Sequence, residues 1–310
     1  MHESATQTLR ELDTLTLRGW PLPAADDGAD KEDRGQVLVV AGSREIPGAA
    51  MLAATAALRA GAGKLTIATA HSVAPGLALA MPEARVIALP ESAQGGLAAA
   101  GAALLHAVAG DCSAALIGPG LLDGPGSADF VLALLAQLKN TPVILDALAM
   151  DAALHAQRFE QPLLLTPHAG EMAHLSGRSK DEVQADPLAL AQAMARKRNA
   201  VVALKGALTF IVSPEGAAWR HVSATPGLGT SGSGDVLAGI MAGLAARGAP
   251  LVQAAAWGVV LHALAGRRLA RRHGRLGFLA RELPAQIPSV MHGIGAAPGL
   301  TGAAATGCPR

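Results

Sequence analysis

Between Thr225 and Asp235 the chain reads Thr-Pro-Gly-Leu-Gly-Thr-Ser-Gly-Ser-Gly-Asp, with glycine at 227, 229, 232 and 234. Glycines this close together let a backbone turn tightly and aim successive N–H groups into one space. The apolar stretch opening at Val236 reads as a helix, whose N-terminus adds the positive end of its dipole. The chemistry this predicts is anion binding, phosphate above all. Asp235 closes the loop and admits two readings, a helix N-cap or a general base beside a bound phosphate. A cap alone would not need the glycines, which favours the base. Gly227, Gly229 and Gly232 also match the Gly-x-Gly-x-x-Gly spacing of dinucleotide turns. That turn opens a βαβ unit and is followed about 20 residues later by an acid, whereas here it lies late in the chain and Val252 holds the later position. A phosphate-binding Walker loop fails as well, because Gly63-Lys64 is followed by Leu65.

Two further segments carry reactive side chains. Lys205-Gly206-Ala207-Leu208-Thr209 follows an apolar run, so its lysine and hydroxyl fall where a phosphate could be met, and Gly206 permits close backbone approach. In Thr166-Pro167-His168-Ala169-Gly170-Glu171 the proline sets an extended entry and Glu171 falls in the first turn of a helix, where the dipole favours it. Capping explains Glu171 but not His168, and spacing alone leaves a structural and a functional role for His168 open. Gly42 to Ala49 and Gly118-Pro119-Gly120 read as loops after strands. No Cys/His cluster has metal-ligand spacing.

The elements that must hold these loops are legible as alternation. Apolar runs at 36–41, 64–68, 114–117, 143–145, 163–165 and 201–204 lack the polar alternation of a half-exposed strand and suit a parallel sheet covered on both faces. Between them, 49–60, 127–138 and 187–199 have the length and composition of crossover helices, and 235–269 reads as two Ala-rich helices broken at Gly248-Ala249-Pro250. The fold expected is an α/β sandwich with a mostly parallel sheet and helices on both faces. Ligands of such folds bind beyond the carboxyl ends of the strands, where all the loops above lie.

Composition narrows the function classes. The 310 residues include 25 Lys+Arg and 24 Asp+Glu, a formal net charge of +1, so no electrostatic footprint for nucleic acid is present. Aromatic residues make up only 2%, which removes stacking platforms for single strands. At 51% hydrophobic the chain can bury a core, yet no charge-free stretch is both long and apolar enough to span a bilayer. Cys112 and Cys308 give no disulfide framework. With no secretory signal at the N-terminus, a cytoplasmic location is expected. Residues 1–34, with Trp20-Pro21-Leu22-Pro23, read as an arm, 35–287 as one compact domain, and 288–310 as a flexible tail.

The ordered set of these motifs resembles the NAD(P)H-hydrate dehydratases of the ribokinase-like superfamily over residues 35–283. The residues that carry it are Val39-Val40-Ala41-Gly42-Ser43, Pro47-Gly48-Ala49, Ala57 to Gly63, Gly118-Pro119-Gly120, Leu164 to Glu171, Lys205-Gly206 with Thr209, and Gly232-Ser233-Gly234-Asp235-Val236-Leu237-Ala238-Gly239. The resemblance implies a ribokinase-like three-layer sandwich and dehydration of the S-epimer of hydrated NADH or NADPH at the expense of ADP or ATP. On that pattern Asp235 is the base, Gly232, Ser233 and Gly234 form the anion hole, and Ala49, Gly120, His168 and Asp235 touch the hydrated dinucleotide. Lys205, Gly206, Ala207, Leu208, Thr209 and Gly234 touch the nucleotide, and Glu171 approaches Mg2+ through water, with no direct metal ligand. The resemblance also implies a homo-oligomer, a tetramer, and a separate NAD(P)H-hydrate epimerase as functional partner, since an attached epimerase domain would need about 200 further residues. Two positions depart from the family pattern: Leu148 stands where a second acid is usual after Asp146-Ala147, and Thr225 where Asn is frequent. The alternatives are a small-molecule kinase of the same superfamily, of the hydroxyethylthiazole kinase kind, and a nucleotide-binding relative weakened in catalysis.

Overall fold

The computed structural model describes residues 9–24, 28, 30–124, 126–155 and 158–295. Ten strands form a single sheet: β1 Arg10–Glu11, β2 Gln36–Val40, β3 Lys64–Ala70, β4 Ala84–Leu89, β5 Ala114–Ile117, β6 Val143–Leu145, β7 Leu163–Leu165, β8 Val201–Leu204, β9 Leu208–Val212 and β10 Ala218–Val222. Their order is β1-β10-β9-β8-β7-β6-β5-β2-β3-β4. Among the described residues only β9 runs against the rest, paired antiparallel with β8 and β10.

Side-chain alternation makes three layers of this sheet. Along β2, Val37 and Val39 join one core while Leu38 and Val40 join the other, all fully buried. Such a strand must be apolar at every position, which is why the parallel strands are visible in the sequence as unbroken runs. One face is covered by the helices Pro47–Arg59, Ser233–Ala246, Leu251–His273 and Ile287–Gly295, and the other by His106–Asp111, Ser127–Leu135, Ala169–Ser176 and Pro187–Arg198. The expected break at 248–250 separates Ser233–Ala246 from Leu251–His273.

β2 pairs with β3 on one side and β5 on the other, so the chain order reverses there. The loops after β2 and β5 therefore diverge and leave a crevice at the strands' carboxyl ends. They interlock: the Gly42 amide donates to the Pro119 carbonyl at 2.8 Å, and a Cβ on Gly118 would lie 1.8 Å from the Asp146 carbonyl oxygen. That approach ties the loop after β5 to the loop after β6.

Both chain ends differ from the sequence expectation within their described parts. In the 1–34 arm, β1 extends the sheet beside β10. The Trp20 ring stacks on Trp219 at 5.7 Å, and the Trp20 carbonyl accepts from Trp257 Nε1 at 2.8 Å. The stretch expected as a tail from residue 288 opens instead inside the Ile287–Gly295 helix, whose Val290 and Ile294 are buried. Residues 296–310, Cys308 among them, and residues 1–8 lie outside the described residues.

Candidate functional site

Four segments converge beyond the strand ends. Lys205 follows β8, and its Nζ donates to Asp146 Oδ1 at 2.8 Å. Asp146 follows β6, is buried, and also accepts from Thr166 Oγ1 at 2.6 Å. Glu171, in the helix after β7, lies 3.8 Å from the same ammonium. A Cβ on Gly234 would sit 3.6 Å from it, so the lysine also faces the glycine-rich loop. Burial opposes the charge on Lys205, but Asp146 and Glu171 beside it hold its pKa above the ordinary lysine range.

The glycine-rich loop ends in a helix that starts earlier than the sequence suggests, at Ser233 rather than Val236. Gly232 is its N-cap, at φ +85°, a left-handed conformation that costs a residue with a Cβ dearly. Asp235 is therefore the third helical residue, and the cap reading of its carboxylate fails. Burial, together with the like charge of Asp146 and against the pull of Lys205, pushes Asp235 up to about 6. The Ser233 amide donates to the Thr230 carbonyl at 3.2 Å, closing the glycine-rich turn. A carboxylate whose pKa is held near neutrality beside this turn and the helix start suits a general base.

His168 and Glu171 turn out to share one device. His168 is the N-cap of the Ala169–Ser176 helix: its Nδ1 accepts from the Gly170 and Glu171 amides at 3.0 and 3.1 Å, while Glu171 Oε2 accepts from the His168 amide at 2.7 Å. An imidazole thus takes the place of the usual serine in a capping box. With Nδ1 accepting, the ring proton resides on Nε2, and the ring borders two cavities.

The larger cavity, about 880 Å³, is bounded by Lys205, Gly206, Ala207, Thr209, residues 223–226 and 228–230, Ser233, Gly234, Val259, His262 and Arg275. Lys205 to Ala207 form the turn between β8 and β9, so Leu208 and Thr209 already belong to a strand. Strand alternation directs Thr209 into the cavity and turns Leu208, paired opposite Val222, out to solvent. The Leu208 side chain therefore does not line this cavity. A second space of about 350 Å³ lies beside it, walled by Leu148, Asp151, His168, Glu171 and His174.

Ala49 and Gly120 meet at the crevice between β2 and β5. A Cβ on Gly120, at φ +66°, would fall 2.6 Å from the Ala49 Cβ. One turn along the same helix, Leu52 Cδ1 comes within 2.5 Å of the position a Gly232 Cβ would take. The crevice therefore opens directly beside the anion loop.

These arrangements find their counterparts in known proteins. The sequence profile of the NAD(P)H-hydrate dehydratases matches residues 37–289. The chain belongs to the NAD(P)H-hydrate dehydratase family. It is 51% identical over 283 residues to the ADP-dependent (S)-NAD(P)H-hydrate dehydratase of Xanthomonas campestris, covering 91% of this chain and 96% of that one. A crystal structure of the ADP/ATP-dependent NAD(P)H-hydrate dehydratase from Bacillus subtilis, co-crystallised with ATP and Mg2+, superposes with a TM-score of 0.78 at 30% identity, over 93% of this chain and all of that one. A ribokinase-like protein from Enterococcus faecalis gives a TM-score of 0.81 at 26% identity over 95% of this chain and 99% of that one. The expected ribokinase-like sandwich is thereby established.

Against that family background, two residues of the site escape the sequence reading. Asp146 was visible only as the first letter of a motif whose second acid is replaced by Leu148, yet it is the acid nearest Lys205. His262 lies in the middle of an apolar helix, twenty-nine residues from the loop it touches: its Nε2 is 3.0 Å from Ser233 Oγ. Nothing in linear spacing announces such a contact. Thr225 is buried and lines the larger cavity, while Leu148 walls the smaller.

Proposed function

We propose that this protein restores NADH or NADPH from the S-epimer of the hydrated dinucleotide at the expense of ADP, releasing AMP and phosphate. The observation that carries the reading is the placement of Asp235. It is a carboxylate pushed up to about 6, in the first turn of the helix that Gly232 opens, with Lys205 facing the same loop. Relatives with the corresponding names, at up to 51% identity over nearly the whole chain, support it.

In this reading Asp235 takes the proton from the hydroxyl of the hydrated ring. The ring oxygen forms a bond to the terminal phosphorus of ADP as the bond from that phosphorus to AMP breaks. The phosphate then departs with the ring oxygen, a proton leaves the neighbouring carbon, and the double bond returns. The amides of Gly232 and Gly234, with that of Ser233 once it turns from the Thr230 carbonyl, receive the charge of the moving phosphoryl group, and removing one such donor is worth on the order of 3 kcal/mol. Lys205, the turn at Gly206 and Ala207, and Thr209 hold the nucleotide; Leu208 can serve only through its backbone. Ala49, Gly120 and the His168 Nε2–H meet the dinucleotide.

Mg2+ fits this site as a guest of the phosphates. Among the described residues no group of three or more His, Cys, Asp or Glu could cage a metal, and Lys205 already sits between Asp146 and Glu171. An ion that keeps most of its water and binds phosphate oxygens asks for no more than one or two carboxylates. Glu171 would hold it through water, and the ion would neutralise charge on the phosphates. A tetrameric assembly, a cytoplasmic location and a separate epimerase that supplies the S-epimer complete the proposal. Among the described residues no helix is long and apolar enough to cross a membrane.

The test is direct. Purified protein given S-hydrated NADH, Mg2+ and ADP should regenerate the absorbance of the reduced nicotinamide, with AMP and phosphate formed one for one. A stable phosphorylated alcohol would make it a kinase instead. Stabilisation by ADP with no turnover would make it a nucleotide-binding protein.

A further inference from the structure

His262 is a polar side chain where the surrounding helix has no use for one. Residues 254–263 of the Leu251–His273 helix are buried without exception, and all but His262 and Gly258 are apolar. Its partner is Ser233 Oγ, at 3.0 Å, also buried. Ser233 is the first residue of the helix that follows the anion loop, and both side chains border the 880 Å³ cavity beside Lys205, Thr230 and Gly234. A buried imidazole costs free energy unless hydrogen-bonded, and an apolar residue would fill the same space without that cost.

We propose that His262 is a positioning residue that donates its Nε2–H to Ser233 Oγ and so turns the serine proton toward the phosphoryl group being transferred. The inference rests on the reading of this loop as the phosphoryl site. The argument is one of proton counting. A hydroxyl has one proton and two lone pairs. If it gave that proton to His262, it would present only lone pairs to an anionic oxygen and repel it. If it accepts from His262, its own proton is left for the anion, and the loop gains a donor beyond its backbone amides. Neutrality of the ring is required, since a charged imidazole here would stand beside the Lys205 ammonium. Burial holds the ring pKa down at about 4, against the pull of a hydrogen bond with the Ser233 backbone and with a smaller push from Lys205, so it stays neutral throughout the physiological range. No proton passes to or from His262 in this role.

Two measurements decide it. The first is a double-mutant cycle with ADP and the hydrated dinucleotide, using His262→Leu, His262→Gln, Ser233→Ala and the pairs. His262→Leu should lower kcat about tenfold, the worth of one neutral hydrogen bond, with KM for ADP changed less than twofold. His262→Gln, whose amide N–H can reach the same oxygen, should recover most of the loss. In the Ser233→Ala background, replacing His262 should have no further effect on kcat. Equal losses in both backgrounds, or a loss that follows thermal stability alone and is not rescued by glutamine, would overturn the proposal. The second needs no variant and no turnover: nitrogen NMR of the 15N-histidine-labelled wild-type chain with ADP should show His262 as the Nε2–H tautomer, and the Nδ1–H tautomer would overturn it. A wild-type chain that turns over normally while the cycle is additive sinks this inference alone. A wild-type chain without turnover sinks the functional reading and with it the phosphoryl part of this inference, while the tautomer still decides whether Ser233 accepts from His262.

Discussion

Asp235 serves two ends that conflict. Its carboxyl is held at about 6 against an ordinary value near 3.8, so the folded state binds its proton more tightly than the unfolded state does. For an acid shifted upward the cost to stability is absent below pH 3.8, grows between the two values, and is complete above about 6. Asp235→Asn should therefore abolish turnover while preserving ADP binding, and should raise stability at pH 7.5 by on the order of 2 kcal/mol with little gain at pH 4. Denaturant titrations at the two pH values, beside an activity assay, check this. Stability that falls equally at both would mean that the carboxylate is a structural partner. Asp146 is the neighbour whose charge lifts Asp235, after burial. Asp146→Asn removes that repulsion and leaves Lys205 with less compensation, and both changes lower the Asp235 pKa. The acid limb of kcat/KM, set in wild type near pH 6, should move to lower pH, and stability should fall by about 1–3 kcal/mol because a buried charge loses its partner. An unmoved limb would separate Asp146 from the base. The sequence showed Asp235 because glycines and a helix start mark it locally. Asp146 and His262 owe their roles to contacts across 59 and 29 residues, and no local pattern encodes those.

Two helices keep the anion loop in register with the crevice, and small residues are the means. A Cβ on Gly239 would lie 2.1 Å from the Ala53 carbonyl oxygen, and one on Gly243 2.3 Å from that of Ala57. Here the helices Ser233–Ala246 and Pro47–Arg59 touch backbone to backbone, so one cannot admit a methyl group without sliding away from the other. Gly239→Ala should cost at least 2–3 kcal/mol, the scale of overpacking in a close-packed core, and should lower kcat even where the protein remains folded. Gly76 is the control: it is helical, with nothing within 4 Å of where a Cβ would be. Gly76→Ala should stabilise by about 0.5–1 kcal/mol through helix propensity alone. Thermal melts of the two variants should move in opposite directions, and a shared direction would refute the packing account. The same logic governs how much of the fold could be read beforehand. β2, β5, β6, β7 and β8 lie inside the sheet, buried on both faces, and they advertise themselves as apolar runs. β4 and β10 lie near its edges and keep exposed positions such as Arg85, Ala88 and Val222, so their signals blur into loop. The hairpin of β8 and β9 hid a strand start inside what reads as a phosphate loop.

For the whole molecule, a net charge of +1 must be reconciled with ligands that carry several negative charges. Lys205 and Arg275 are the lysine and arginine that border the large cavity, and Lys205 is already matched by Asp146 and Glu171. The remaining attraction must come from groups that carry no formal charge, the amides at Gly232 to Gly234 and the dipole of a 14-residue helix. Those partial charges act within a turn of the helix end, at distances shorter than the Debye length, where mobile ions screen weakly. A surface funnel of lysines would behave differently, because its field reaches beyond the Debye length of about 8–10 Å and collapses with added salt. Raising NaCl from about 0.05 to 0.2 M at fixed free Mg2+ should therefore weaken ADP binding less than about threefold, measured by calorimetry. Lys205→Met should weaken it far more than that, because it leaves Asp146 and Glu171 facing the phosphates without their cation. A loss of tenfold or more on adding salt would mean that long-range charge, rather than the loop and its helix, gathers the nucleotide.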